Sequence, residues 1–232
     1  MNDQTTLVRA GVSDFAAVSG TAGEFVRMKV NGHVDLRFGP NGVRKSWSRA
    51  SLRKKVAIVG FAESTRAFAP FADESYEIWG LNQLYRHIPR WDRWFEMHTP
   101  EIFTKDIVRD TDYVGWLKGI EPGKPLYMVE KFNDMPASIA FPLEEAVEWI
   151  GMDYFQSSLA YMLILACMEG FERIEIYGVD LIVGDEYAYQ KPNLEYLLGL
   201  ARGRGVDIYI PPQSALMRQT YRYGFAIEPD TP

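Results

Sequence analysis

The chain has 232 residues, 47% hydrophobic and 24% charged, with a formal net charge of −6. That is an ordinary globular composition, and it sets aside intrinsic disorder, collagen and a disulfide scaffold. One cysteine, Cys167 inside the apolar run from Ser158 to Met168, and three histidines leave no internal disulfide and no metal cluster to expect.

The N-terminal MNDQTTLVRAGVSDF lacks the basic-then-apolar build of a signal peptide. No run approaches the roughly 18–20 apolar residues that cross a bilayer. A cytoplasmic protein with no membrane partner is the expectation. Residues 1–54 are expected to form a separate basic segment or arm, because charge is unevenly spread. Residues 1–55 carry ten Lys and Arg against four Asp and Glu, and the stretch from Leu36 to Lys55 has seven basic residues and no acidic one. Within this segment Val26, Met28 and Val30, then Val34, Leu36 and Phe38, alternate with mostly polar residues, as short strands do. Asn31-Gly32 and Asn41-Gly42 are hairpin-type turns. A like-charge run is ordinarily a solvated linker; its functional alternative is an arm that holds a nucleic-acid backbone.

From Lys55 the pattern becomes strand, helix, strand. VAIVG (Val56–Gly60) is a β-branched run suited to a strand buried on both faces. Further strands are expected at Tyr76–Asn82, Trp91–His98, Pro125–Glu130, Arg173–Asp180 and Val206–Pro211. Ser157–Phe171 is expected to be a helix with serines at its start and Gly170 at its end. Pro192–Gly205 is a helix opened by proline, and SALMRQ, from Ser214, a short final one. This order predicts an α/β fold: an open, mostly parallel Rossmann-like sheet with helices on both faces, over residues 55–226, followed by a tail at 227–232.

In such a sheet ligands sit beyond the carboxyl ends of the strands, near the point where strand order reverses. That rule selects Gly60, Ser64 and Thr65 after the first strand, Asn82 after the second, His98 after the third and Asp180 after the strand ending at Gly178. Ser157 and Ser158 open a helix, whose free N–H groups favour an anion. Gly60, Ser64, Thr65, Asn82, Ser157 and Ser158 are the nucleotide-binding candidates. The segment GDEYAYQKP (Gly184–Pro192) is read as a substrate loop. Asp185 and Glu186 are candidate bases alongside Asp180, and Tyr187, Tyr189 and Gln190, with His98, are substrate contacts. Each has a plainer alternative as a cap, turn or packing residue. GFAEST lacks the three-glycine dinucleotide fingerprint, and no P-loop is present, so NAD, FAD and P-loop NTPase chemistry are set aside. No nucleophile elbow or Cys–His pair offers covalent catalysis.

VAIVGFAEST, EIWGLNQLY, SSLAYMLILACMEGFERIEIYGVDL and NLEYLLGLARGRGVDIYIPPQSAL, in that order, resemble a Rossmann-like group. It contains the bacterial CMP-sialic-acid-dependent sialyltransferases and the 6-hydroxymethylpterin diphosphokinase (MptE-like) proteins. The stretch around YQKP and LEYLLGLARGRG looks closest to phage-encoded members, which would place the protein in a host cytoplasm. The resemblance spans roughly residues 55–217. It implies a pocket in which the first loop and Asn82 lie near the ribose and phosphates of a nucleotide. The sequence departs from the group in two places. Ala62-Glu63-Ser64 replaces the expected x-P-S, and the loop before the penultimate helix lacks the histidine that serves the sialyltransferases as base.

Three functions are therefore expected in turn. The first is a glycosyltransferase-like enzyme with a nucleotide-activated donor, acting on a modified nucleobase or another acceptor. The second is a pterin or nucleotide diphosphokinase, which would need Mg²⁺ on Asp180 and Asp185. The third is a nucleotide sensor without catalysis.

Overall fold

The computed structural model of the chain describes residues 26–30, 33–38, 54–104, 110–182 and 187–218. The N-terminal alternation yields a hairpin. Strands β1 (Val26–Val30) and β2 (His33–Phe38) pair antiparallel, from Val26 opposite Phe38 to Val30 opposite His33. The two Asn-Gly turns, residues 39–53 of the basic run and the expected tail lie outside the described residues.

Seven strands form one all-parallel sheet: β3 (Lys55–Val59), β4 (Tyr76–Leu81), β5 (Arg93–Glu96), β6 (Leu126–Met128), β7 (Ser138–Ala140), β8 (Arg173–Tyr177) and β9 (Asp207–Tyr209). Their spatial order is β7-β6-β5-β4-β3-β8-β9. The chain enters this sheet at β3, steps outward to the β7 edge, and returns to lay β8 on the other flank of β3. The strand order therefore reverses at β3, where the crevice between β3 and β8 opens.

The return is made by α4 (Leu143–Ile150) and α5 (Ser158–Met168). Helix α5 is apolar all round because it is enclosed by the sheet, by α4 and by α6 (Tyr187–Gly203). Its Cys167 is buried. The two-residue period of the strands divides the aromatic residues between faces. Trp79 and Phe95 pack at 5.1 Å, and Trp79 meets Phe171 edge-on at 5.5 Å, on the α5 face. Arg93 reaches that face's Glu77 at 2.8 Å and Glu169 at 2.7 Å, forming a buried ion-pair triad. On the opposite face Trp94 meets Trp116 of α3 (Tyr113–Lys118) at 4.8 Å. Helices thus cover both faces.

Two expectations need correction. SALMRQ does not form a helix across its described residues; Ala215 N–H goes to Asp180 Oδ1 and Met217 N–H to Glu195 Oε1, both outside the segment, while Leu216 N–H turns back on Ser214 Oγ within it. Helix α6 begins at Tyr187, so Pro192 lies inside it and leaves the Ala188 carbonyl without a helical donor. Tyr187–Gln190 are consequently its first turn, not a loop.

Candidate functional site

The crevice is closed at its base by two glycines. Gly60 N–H donates to Tyr177 O at 2.8 Å, Ala62 N–H donates to Gly178 O at 2.8 Å, and Gly178 N–H donates to Thr65 Oγ1 at 2.7 Å. A Cβ on Gly60 would lie 2.5 Å from the Gly178 carbonyl oxygen. Only glycine pairs let the post-β3 and post-β8 loops meet this closely. Above them opens a cleft of about 900 Å³, lined by Gly60, Asn82, His98, Ser157, Ser158, Asp180, Tyr187 and Gln190 among others.

Asn82 follows the last residue of β4 and holds φ at +49°, a left-handed conformation that asparagine tolerates better than most side chains. The aromatic layer sets it there. Gly80 has no side chain, so the Trp94 ring lies across it, and Trp94 Nε1–H donates to the Asn82 carbonyl at 3.0 Å. Asn82 Oδ1 is buried with no hydrogen-bond partner. A buried acceptor left unpaired costs about 1–3 kcal/mol, and here it belongs to a residue of the cleft lining.

Ser157 is the N-cap of α5, its Oγ accepting from Ala160 N–H at 3.3 Å. The helix aims its free N–H groups and the positive end of its dipole at the cleft. The approach to this terminus is tied down from α6. Asn193, fully buried, accepts from Gln156 N–H at 3.1 Å and donates to Tyr154 O at 2.9 Å. Phe155 and Tyr161, stacked at 4.5 Å, form an aromatic wall of the cleft.

Asp180 enters the cleft with Oδ1 held by Ala215 N–H at 3.0 Å, while Ser214 Oγ–H donates to Val179 O at 2.6 Å. The next residue, Leu181, has φ of +50°, which costs a leucine about 1–2 kcal/mol. Two non-glycine residues of the cleft lining, Asn82 and Leu181, thus carry left-handed backbone.

His98 belongs to a buried network. Glu96, on β5 with a side chain 1% exposed, accepts from His98 N–H at 3.1 Å, and its Oε1 lies 2.7 Å from His98 Nδ1. The other carboxylate oxygen accepts from Tyr113 O–H at 2.5 Å. Burial first, then the Glu96 charge, push the Tyr113 hydroxyl well above its ordinary range.

Eight sequence-selected residues therefore share one cleft. Three do not line it. Thr65 is fully buried and spends its hydroxyl on Gly178 N–H. Ser64 is exposed on α1 (Glu63–Arg66), and Tyr189 is 69% exposed on the outer side of α6. Glu63 also points outward and pairs with Arg66 at 3.6 Å. Asp185 and Glu186 lie outside the described residues, so the second carboxylate of a Mg²⁺ site is not placed; among the described residues no three His, Cys, Asp or Glu side chains gather to hold a metal. Sequence reasoning passed over Glu96, Asn193 and Tyr161. Asn193 carried a signal, as a polar residue in the apolar stripe of Leu194, Leu197, Leu198 and Ala201.

No protein-family model matches the chain, and no curated protein matches it. Solved structures similar to it include an α-2,3-sialyltransferase from Campylobacter jejuni in apo form, at 16% identity and TM-score 0.45, covering 68% of this chain and 75% of that one. The monofunctional α-2,3-sialyltransferase Cst-I of the same organism is similar at 14% identity and TM-score 0.46, covering 72% and 79%. The sialyltransferase CstII with cytidine-5′-monophosphate is similar at 15% and 0.43, covering 69% and 80%.

Proposed function

We propose that the protein binds a nucleotide-activated sugar in the cleft at the end of β3 and transfers the sugar to an acceptor. One observation carries this reading: Asn82, whose Oδ1 is buried without a partner, lines the same cleft as the N-terminus of α5. The first asks for a hydrogen-bond donor, such as a ribose hydroxyl or a base amino group. The second favours an anion. A nucleotide joins both in one molecule. At about 900 Å³ the cleft lies in the upper part of the range for ligand pockets, with room for a second group beside the nucleotide.

The lining also bears on charge. Among its described residues the only carboxylate is Asp180, with no ammonium or guanidinium. A helix terminus supplies about half a unit of positive charge, which matches a single phosphate better than a polyphosphate. The donor is accordingly a sugar joined to a nucleoside monophosphate, and catalysis is mainly positioning and stabilisation of the departing phosphate.

A thermal-shift panel tests this. Nucleoside mono- and diphosphates of all four bases and their sugar conjugates are compared, with phosphate-free nucleosides as controls and each arm run with and without Mg²⁺. A ligand at about 100 times its Kd adds about 2.7 kcal/mol, a rise of about 5–10 °C for a chain of this size. The expected order is monophosphate conjugate above diphosphate above nucleoside, independent of Mg²⁺. Silence across the panel overturns the reading. Binding without release of nucleotide from any conjugate favours a sensor.

A further inference from the structure

We infer that the rim of the cleft is the acceptor subsite and that it takes an amphiphile, a hydroxyl-bearing headgroup joined to an aryl or alkyl body; this rests on the donor reading above. Depth separates two kinds of lining. Asn82 Oδ1 is buried, whereas Phe61, Ile102 and Ile182 line the same cleft at 43%, 50% and 65% exposure. The unpaired polar atom therefore lies deep, and large apolar side chains stand at the mouth. Single exposed apolar residues are commonplace on a protein surface, but three on one cavity mark a ligand groove. Each comes from a different element and is held in place. Phe61 lies between Gly60 and Ala62, whose N–H groups donate to Tyr177 O and Gly178 O. Its carbonyl accepts from the Arg66 guanidinium, and its ring meets His87 edge-on at 6.4 Å. Ile102 belongs to α2 (Pro100–Phe103), anchored by the buried Phe103 against Phe132 at 6.2 Å. Ile182 follows the left-handed backbone of Leu181. Side chains so placed in advance lose little freedom when a ligand covers them.

Charge selects against other acceptors. Among the described residues the lining holds no ammonium or guanidinium, and Asp180 is its one carboxylate. The positive end of α5 is taken by the donor phosphate. A nucleic-acid strand or an acidic sugar would bring its anions to a rim that offers no cation. A neutral oligosaccharide would set hydroxyl groups against Phe61, Ile102 and Ile182, where their lost hydration is not replaced. An apolar body instead takes the three side chains out of water. It leaves the headgroup hydroxyl facing inward, toward the donor.

Saturation-transfer nuclear magnetic resonance titrations of the full chain test this. The probes are phenyl, hexyl and methyl β-glycosides of one sugar, with a short single-stranded oligonucleotide beside them. The phenyl or the hexyl glycoside should bind about tenfold or more tighter than the methyl one, the effect of removing roughly 50–60 Å² of apolar surface from water. Phenyl above hexyl assigns an aryl body, and the reverse an alkyl one. The preference should disappear in Ile102→Ser with Ile182→Ser, both exposed positions where a serine leaves the fold intact. It should persist in Tyr196→Ser, an exposed aromatic of α6 outside the cleft lining. Equal binding of the three glycosides overturns the inference, as does a preference that survives the double substitution or is lost in Tyr196→Ser. Binding of the oligonucleotide with the glycosides silent overturns it in favour of a nucleic-acid acceptor. The two readings fail separately. A silent nucleotide panel removes the donor and leaves a rim-dependent preference standing, whereas a bound nucleotide with glycosides bound alike removes only the acceptor class.

Discussion

Gly60 and Gly178 stand backbone to backbone at the ends of β3 and β8, and neither has room for a methyl group: a Cβ on Gly178 would strike the Gly60 carbonyl oxygen, as one on Gly60 would strike that of Gly178. Gly178 also holds φ at +64°. The expected cost of Gly178→Ala is about 2–5 kcal/mol, from the left-handed backbone and the forced contact together. Gly60→Ala meets the contact alone and should cost about 1–3 kcal/mol. Urea unfolding of both variants measures this, and a Gly178→Ala protein within about 0.5 kcal/mol of wild type would show that the two loops do not meet.

Asn82 separates backbone from side chain. Asn82→Gly keeps the left-handed turn and removes the amide, so stability should stay within about 1 kcal/mol of wild type. The stabilisation given by a bound nucleotide should fall by about 0.5–1.5 kcal/mol, the net value of a hydrogen bond. Thermal shifts of both proteins with the same nucleotide provide the comparison. Equal shifts would mean that Oδ1 faces no ligand.

The strand pattern and the rule of the switch point were enough to place Gly60, Asn82, Ser157 and Asp180 on one cleft, because each follows or opens an element whose apolar run is unmistakable, such as VAIVG or SSLAYMLILACM. What stayed hidden depends on side chains meeting across the fold. Glu96 reads as the outer member of an alternating strand, and only the packing of α3 against β5 shows that Tyr113 and His98 share it. Thr65 has the composition of a phosphate-loop residue, yet its hydroxyl closes the gap to a strand more than a hundred residues away. Strand β7 has three residues, two of them exposed at the sheet edge, too few for a period to register. The proline before Asn193 looked like a helix start, and it is the tie of Asn193 to residues 154–156 that shows the helix running through it.

That tie yields a further prediction. Asn193 makes two part-buried hydrogen bonds to the segment that leads into α5, so Asn193→Leu removes the partner of Gln156 N–H and of the Tyr154 carbonyl. The expected loss is about 1–3 kcal/mol of stability, the net value of two hydrogen bonds. Nucleotide binding should weaken as well, because the Ser157 terminus is no longer held at the cleft. Chemical denaturation and the thermal shift measure the two effects. A stable variant with unaltered nucleotide response would show that α5 keeps its place without α6.

Tyr113 gives the protein an alkaline limit. Its burial and the neighbouring Glu96 charge raise the hydroxyl well above the ordinary value of 10.0, so the folded protein keeps a proton that the unfolded chain releases first. The contribution is whole below about pH 10 and is lost as pH rises from there toward the folded-state value. Each such tyrosine adds up to about 1.4 kcal/mol per pH unit to the fall. Tyr76, Tyr85, Tyr161 and Tyr177 are raised by burial too, so Tyr113→Phe should flatten the decline by about that amount without abolishing it. Unfolding free energies measured from pH 8 to 11 give the slopes. An unchanged slope in Tyr113→Phe would mean that Tyr113 O–H faces water instead of Glu96.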